Sequence, residues 1–302
     1  IDLMCSLYLL AFSFSFNRKR RNYGPLLSLQ DDTIKGVQNM EYIEGNKLAW
    51  EEAFENRKPN WGDENYKILK SRTLPFLNSD TIAELQSIGL KGKTIAQFCC
   101  NNGRDLLSVM QLEPAHAVGF DIAENIIEQA KETAKKIEEN NCEFIACNVM
   151  EIDDSYFESF DLIFFTIGAI TWFEDLELLF DKGSKCLKRG GIMLINDFHP
   201  FMNMLPVPGE EAFDADHVNQ LSYPYFRKEP WIENSGMPYI TPEYESKTFV
   251  SFAHTLSDII NAAIHSGMTI VKLNEYNYDV GLTEVYDGKN YPLSFILVAQ
   301  KL

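Results

Sequence analysis

The stretch from Gln97 to Asp105, QFCCNNGRD, sets small and turn-tolerant residues between an apolar segment and an amphipathic one. Three chemistries suit it: a turn that lets a cofactor approach the backbone, a pair of reactive cysteines, or an ordinary turn. A nucleophilic Cys99 or Cys100 requires a base within reach, and the neighbouring residues supply none. Asp121 closes the next apolar segment, some 20 residues after the turn, where a carboxylate suits hydrogen bonding to ribose hydroxyls. Its plainer role is to cap the helix that follows. Asn148 stands where an adenine amide contact can be made, or is part of a surface turn. His199, in NDFHPF, is the best candidate to take a proton, because an imidazole titrates near neutrality. Asp197 either orients it or closes a turn, and a histidine bonding its own loop is the structural alternative. His254 and His265 flank a helix candidate and read as cap or surface residues.

These residues need elements to position them. Strands are predicted at 94–99, 117–121, 143–147, 160–166 and 191–197, with helices at 104–111, 123–139 and 174–187 between them. A crossover helix between successive strands argues for a parallel, doubly wound α/β sheet. In such a sheet ligands bind outside the carboxyl ends of the strands, which is where Cys99–Gly103, Asp121, Asn148, Thr166–Ile170 and Asp197–Pro200 fall. Ahead of the sheet, helices are predicted at 46–57, capped by Asn46, and at 79–90, capped by Ser79. Gly190 and Gly191 follow KCLKR and read as the stop of the third crossover helix. Residues 200–250 are rich in proline and aromatics without a clear period, an insertion of short strands or turns. A helix at 255–266 and strands at 269–276 and 292–300 complete the chain.

Composition narrows the partners. The 302 residues carry 27 Lys and Arg against 44 Asp and Glu, a net charge of −17. Nucleic-acid binders draw most of their affinity from phosphate neutralisation, so a nucleic-acid partner is disfavoured. The six cysteines, at 5, 99, 100, 142, 147 and 186, form no C-x-x-C pair. They read as reduced thiols of a cytoplasmic protein, and no metal site is indicated.

Residues 1–39 differ from the rest. An apolar run, LMCSLYLLAFSFSF, precedes the basic cluster NRKRR, the reverse of the order in a secretory signal. The run is also shorter than the roughly 20 residues that span a bilayer. Five Lys and Arg against three Asp and Glu make this segment basic, whereas 22 against 41 follow it. KGVQNM, ending at Met40, can be encoded by a purine-rich ribosome-binding sequence ahead of a start codon. The expectation is that residues 1–39 are translated upstream DNA, with an anchor or a disordered arm as alternatives. A protein beginning at Met40 should then keep its full melting temperature; a drop of several degrees would show that the segment packs.

The ordered set of strand ends resembles the class I S-adenosylmethionine-dependent methyltransferases, strongly over about 93–200 and weakly to the C-terminus. That family's first turn reads approximately D/E-x-G-x-G-x-G. Here Gln97 takes the acidic position, and Cys99, Asn101 and Gly103 take the glycines. Asp121 matches the acid closing the second strand, and Asn148 stands where the third strand's acid is common. One branch, known mostly as methyltransferase-domain proteins, has a similar cysteine- and asparagine-containing turn and an H-P pair after the fifth strand. Asn visits left-handed conformations and Cys is small, so the steric requirement of the turn is kept. A dinucleotide turn would want glycine at 104, where Arg104 stands, so NAD fits less well.

The resemblance implies a mostly parallel seven-stranded Rossmann-like sheet in one domain over 40–302. Its parts are an N-terminal helical cover (40–92), a cofactor-binding core (93–199), an insertion or lid (200–250) and a C-terminal helix with strands (251–302). It implies S-adenosyl-L-methionine as cofactor, held by Cys99, Asn101, Gly103, Asp121, Ile122, Asn148, Val149, Thr166 and Gly168. The implied reaction is in-line methyl transfer to a small-molecule acceptor, with His199 as a possible general base. An RNA- or protein-modifying enzyme and a cofactor-binding protein without turnover are the alternatives. Gln97 lacks the carboxylate that meets the cofactor's amino end, and Asp105, Glu44 or backbone carbonyls are candidates to replace it. Aromatics of the insertion, among them Phe201, Phe213, Tyr223, Tyr225, Phe226, Trp231, Tyr239 and Tyr244, would wrap an acceptor or pack the insertion down. Trp50, Trp61 and Trp172 stand outside it. Acceptor and oligomeric state are not encoded in any motif.

Overall fold

The computed structural model describes residues 32–281 and 283–302. Expectations for residues 1–31 lie outside the described residues. The helix α1 (Asp32–Glu55) runs across Met40. The described chain groups into two compact units, and these cut across the four consecutive segments expected.

The larger unit comprises Pro59–Asp197, His254–Glu275 and Phe295–Leu302. It is built on strands β1 (Thr94–Phe98), β2 (His116–Asp121), β3 (Cys142–Ala146), β4 (Phe160–Phe165) and β5 (Leu187–Phe198). The short strands β6 (Trp231–Glu233) and β7 (Phe249–Ser251) come next in the chain, and β8 (Met268–Tyr276) and β9 (Ser294–Lys301) end it. The sheet order is β3-β2-β1-β4-β5-β9-β8, mostly parallel, with β1–β2, β1–β4, β2–β3 and β4–β5 all parallel. This is the doubly wound seven-stranded sheet expected. The central strands are nearly continuous apolar runs because helices cover both faces.

The remaining helices are α2 (Asn65–Ser71), α3 (Ser79–Ile88), α4 (Arg104–Val109), α5 (Glu124–Ile137), α6 (Leu176–Cys186) and α7 (Leu256–His265). In α5, Ile126, Ile127, Ala130 and Ala134 are buried while Lys135 and Lys136 occupy the last turn, where cations favour the helix dipole. Thr255 and Asp258 form a reciprocal capping box at the start of α7. Two expected caps are corrected. Asn78, not Ser79, caps α3, its Oδ1 accepting from Thr81 N at 2.8 Å. Gly190 and Gly191 do not stop α6, which ends at Cys186; they lie within β5. There the register with β4 jumps from Phe160–Leu187 to Leu162–Ile192, a bulge that small residues accommodate.

The smaller unit contains the described residues through Lys58, Phe198–Ala253 and Tyr276–Ser294. The strands β6 and β7 pair antiparallel in it. Asn46, expected to cap a helix, sits inside α1 instead. Its amide donates to Val250 O at 2.8 Å and accepts from Val250 N at 2.7 Å, standing in for a neighbouring strand along β7. Trp50 lies edge-on to Phe249 at 5.5 Å, fixing α1 against the pair. The insertion therefore packs with α1 rather than standing alone. Met202, Leu205, Val207, Tyr286 and Leu293 form a second small core.

Candidate active site at the carboxyl ends of the strands

The turn between β1 and α4 takes the left-handed backbone expected of its sequence. Cys99, Asn101 and Gly103 have φ of 56°, 50° and 70°. Its amides are paired within the protein. Instead of being offered to a ligand, Cys100 N donates to Phe120 O, Asn101 N to Asp121 Oδ2, Asn102 N to Asn101 Oδ1 and Gly103 N to Cys100 O, all at 2.8–2.9 Å. The turn is locked by its own donors. Burial pushes the thiols of Cys99 and Cys100 well above their ordinary range, with the Asp121 charge adding to the effect. Both stay protonated at neutral pH, which removes them as nucleophiles.

Asp121 staples this turn to the next. Beyond Asn101 N, its Oδ1 accepts from Ala123 N at 3.1 Å. Burial raises its pKa, opposed by bonds from the amides of Ala123, Asn101 and Ile122. The first residue flanking α5 is Ala123, so Asp121 is not that helix's usual cap. A carboxylate offers about four acceptor positions, which leaves capacity for hydroxyl donors.

Asn148 Oδ1 accepts from Met150 N at 3.0 Å, opening a short 3₁₀ turn, and this bond uses none of its amide donors. The Val149 side chain is buried in the main core, so only its backbone can face a ligand. Gly168, at φ 80°, donates its N–H to Asp197 Oδ1 at 2.6 Å, which ties the loop after β4 to the end of β5.

Two features were not read from sequence. Gln129, in the middle of α5, accepts from Asn102 Nδ2 at 3.1 Å and donates to Trp61 O and Asp63 Oδ1 at 3.0 Å. It thereby holds the first turn against the loop ahead of α2. The second is a polar chain at the end of β1. Gln97 Nε2 donates to Thr166 Oγ1 at 2.8 Å, while Arg104 Nε stands 3.4 Å from Asp105 Oδ1 in the first turn of α4. Gln97 is 1% exposed and its Oε1 has no hydrogen-bond donor among the described residues.

In the smaller unit, His199 is buried and caps the turn at Pro200–Met204. Its Nδ1 accepts from Phe201 N at 3.0 Å, and its backbone N–H donates to Leu293 O at 2.9 Å. A backbone N–H only donates, so Nδ1 is the unprotonated nitrogen and the neutral ring carries its proton on Nε2. His254 is a partner of the loop after β4, with Nε2 2.8 Å from Phe173 O, and burial lowers its pKa. His265 pairs with Glu177 at 2.8 Å on the surface. Among the described residues, no group of three or more His, Cys, Asp or Glu is arranged to hold a metal. No described helix is long and apolar enough to cross a membrane.

A doubly wound sheet with a carboxylate after its second strand and a left-handed turn after its first places the candidate site at the carboxyl ends of the strands, where ligands bind in open α/β sheets. Comparison with known proteins makes this specific. Residues 90–229 match the family model described as Methyltransferase domain. A protein from Listeria monocytogenes described as an S-adenosylmethionine-dependent methyltransferase is similar in structure, with a TM-score of 0.56 at 16% identity over 73% of this chain and 97% of that one. One from Methanosarcina mazei gives 0.53 at 16% identity over 75% and 98%. A geranyl diphosphate C-methyltransferase from Streptomyces coelicolor, solved with Mg²⁺, geranyl diphosphate and S-adenosyl-L-homocysteine, gives 0.52 at 13% identity over 81% and 84%. At such identities these likenesses concern the fold. No match is found among curated protein sequences. Residues 90–229 thus match a methyltransferase domain, and the fold is the one shared with those S-adenosylmethionine-dependent methyltransferases. The residues present fit the cofactor: a buried acceptor on Gln97 awaits a donor, and Asp121 keeps acceptor capacity.

Proposed function

We propose that this cytoplasmic enzyme methylates a small molecule. Its charge of −17 carries this reading, because the electrostatic attraction that dominates nucleic-acid binding runs against it. The five described cysteines are free thiols, in keeping with a reducing compartment. A neighbour acting on geranyl diphosphate shows that the fold serves small acceptors. When bound, S-adenosylmethionine supplies the methyl group and the leaving group. The protein's part is to hold the two partners in line and keep water out.

Asp121 takes the ribose hydroxyls, Ile122 and the Val149 backbone flank the nucleoside, and the Asn148 amide meets the adenine. Cys99, Asn101 and Gly103 shape the wall beside the reacting end, and Thr166 and Gly168 close it. Supporting this set is its position, since the strand order β3-β2-β1-β4 lines up Asn148, Asp121, the turn and Thr166 in sequence across the sheet. His199 is the residue we assign to the acceptor. The bond from Phe201 N favours a ring that donates from Nε2 and orients the acceptor, because a base at Nε2 would first have to lose that proton.

Incubation with methyl-labelled cofactor and a metabolite extract tests the reading. A labelled small molecule is expected, and label in RNA or protein would overturn it. His199→Asn keeps a capping acceptor near the Nδ1 position while removing Nε2. Turnover should fall roughly 3- to 10-fold, the scale of one neutral hydrogen bond, with cofactor affinity unchanged. A loss of about 10²–10⁴-fold would instead make His199 the general base.

A further inference from the structure

Gln129 commits its side-chain amide to two segments, and the chemistry of its partners fixes which way the amide faces. A carbonyl and a carboxylate only accept, so Trp61 O and Asp63 Oδ1 both take protons from Nε2, and Oε1 accepts from Asn102 Nδ2. Gln129 and Asn102 are both buried. The loop is built for this approach. Gly62 lies between the two acceptors with φ of 76°, and a Cβ there would run into Gln129 Oε1 and lie 2.8 Å from Asn102 Nδ2. The loop backbone therefore passes directly against the bond between Gln129 and Asn102, a passage that glycine alone allows.

A second glutamine holds the far end of the same segment. Gln111, which follows α4, donates from Nε2 to Leu69 O at 3.1 Å and Arg72 O at 3.2 Å, and its Oε1 accepts from Leu74 N at 2.7 Å. The loop and α2 are thus clamped at both ends, but the Gln129 clamp is the one that bonds the first turn. There Asn102 stands between Asn101 and Gly103, two residues of the proposed cofactor wall. Resting on the cofactor placement proposed above, we infer that Gln129 is a positioning residue for the cofactor. By seating residues 61–63 on α5, it fixes Asn102 and through it the backbone of the first turn. The seated loop keeps water from competing for the Asn102 amide, and a hydrogen bond away from water holds its partners more tightly. Cofactor affinity is thereby tied to a loop more than 30 residues ahead of the turn in sequence.

Calorimetric titration with S-adenosylhomocysteine across pH tests this. Gln129→Glu keeps an acceptor for Asn102 but sets a carboxylate against Trp61 O and Asp63 in place of both loop donors. At about pH 8 it should bind roughly 10-fold more weakly than the unsubstituted protein, the scale of one to two neutral hydrogen bonds. The Asp63 charge raises the pKa of the new carboxyl, and once protonated that group donates to the loop again. The gap between the two proteins should therefore narrow as pH falls toward about 5. Adding Asp63→Asn reverses the bond, the new amide donating to the new carboxylate, and should recover affinity at pH 8. Gln111→Met, the control, should lower the melting temperature and leave affinity unchanged. If Gln129→Glu does not fold, Asp63→Ala at its exposed position carries the test, with a loss of roughly 2- to 5-fold expected for one bond. Unchanged affinity in the folded variant, or a loss that neither low pH nor Asp63→Asn recovers, overturns the positioning role. Failure of the unsubstituted protein to bind S-adenosylhomocysteine overturns the cofactor placement instead, a result distinct from any effect at Gln129.

Discussion

Gly103→Ala is expected to cost about 2–5 kcal/mol of stability, combining left-handed strain of roughly 1–2 with overpacking of about 1–3. Gly103 holds φ at 70°, where a side chain is strained. A Cβ there would lie 2.5 Å from Phe144 Cζ and 3.0 Å from Ala130 Cβ, overlapping an aromatic ring in the packed interior between β3 and α5. Gly92→Ala is the matched control. Its φ of 75° brings similar strain, but nothing lies within 4 Å of its new Cβ. It should therefore cost only about 1–2 kcal/mol, the strain alone. Urea unfolding measures both. Equal midpoints for the two variants would show that the ring gives way and that Gly103 is needed only for its backbone.

Asp121→Ala should reduce affinity for S-adenosylhomocysteine by about 1.5–3 kcal/mol, roughly 10- to 150-fold, the range for hydrogen bonds to a charged group. The effect has two routes. The carboxylate is the proposed ribose acceptor, and it also accepts the amide of Asn101 at the centre of the first turn. Asp121→Asn separates them, since its amide oxygen can keep part of the backbone bonding while the charge is lost. The structural route predicts that Asn recovers much of the turn's stability, seen in the melting temperature. The ribose route predicts that affinity stays low. Binding by Asp121→Ala equal to the unsubstituted protein would remove Asp121 from the site.

The sheet was legible because its strands are apolar runs broken by amphipathic helices, and every strand-end residue named from sequence in the core lies at or near the end of its strand. What sequence could not show were side chains that replace backbone. Asn46 has the composition of a helix cap but pairs with both polar groups of Val250, a partner 204 residues away. Gln129 looks like one more polar residue on an amphipathic helix, yet it is buried and joins three segments. Gly190 and Gly191 carry the usual helix-stop signature, and only the register of β4 with β5 reveals a bulge. Gln97 could be read as a lost acid. Its bond to Thr166, 69 residues away, required the structure. The degenerate turn was read correctly for backbone shape, but nothing in CCNNG announces that the turn consumes its own donors.

The most direct test of the cofactor assignment is calorimetric titration of the unsubstituted protein with S-adenosylhomocysteine and, separately, with NAD. Saturable one-to-one binding of S-adenosylhomocysteine and no heat from NAD are predicted. Binding of NAD, or no binding of S-adenosylhomocysteine at millimolar concentration, roughly the weak limit for a specific site, would contradict it.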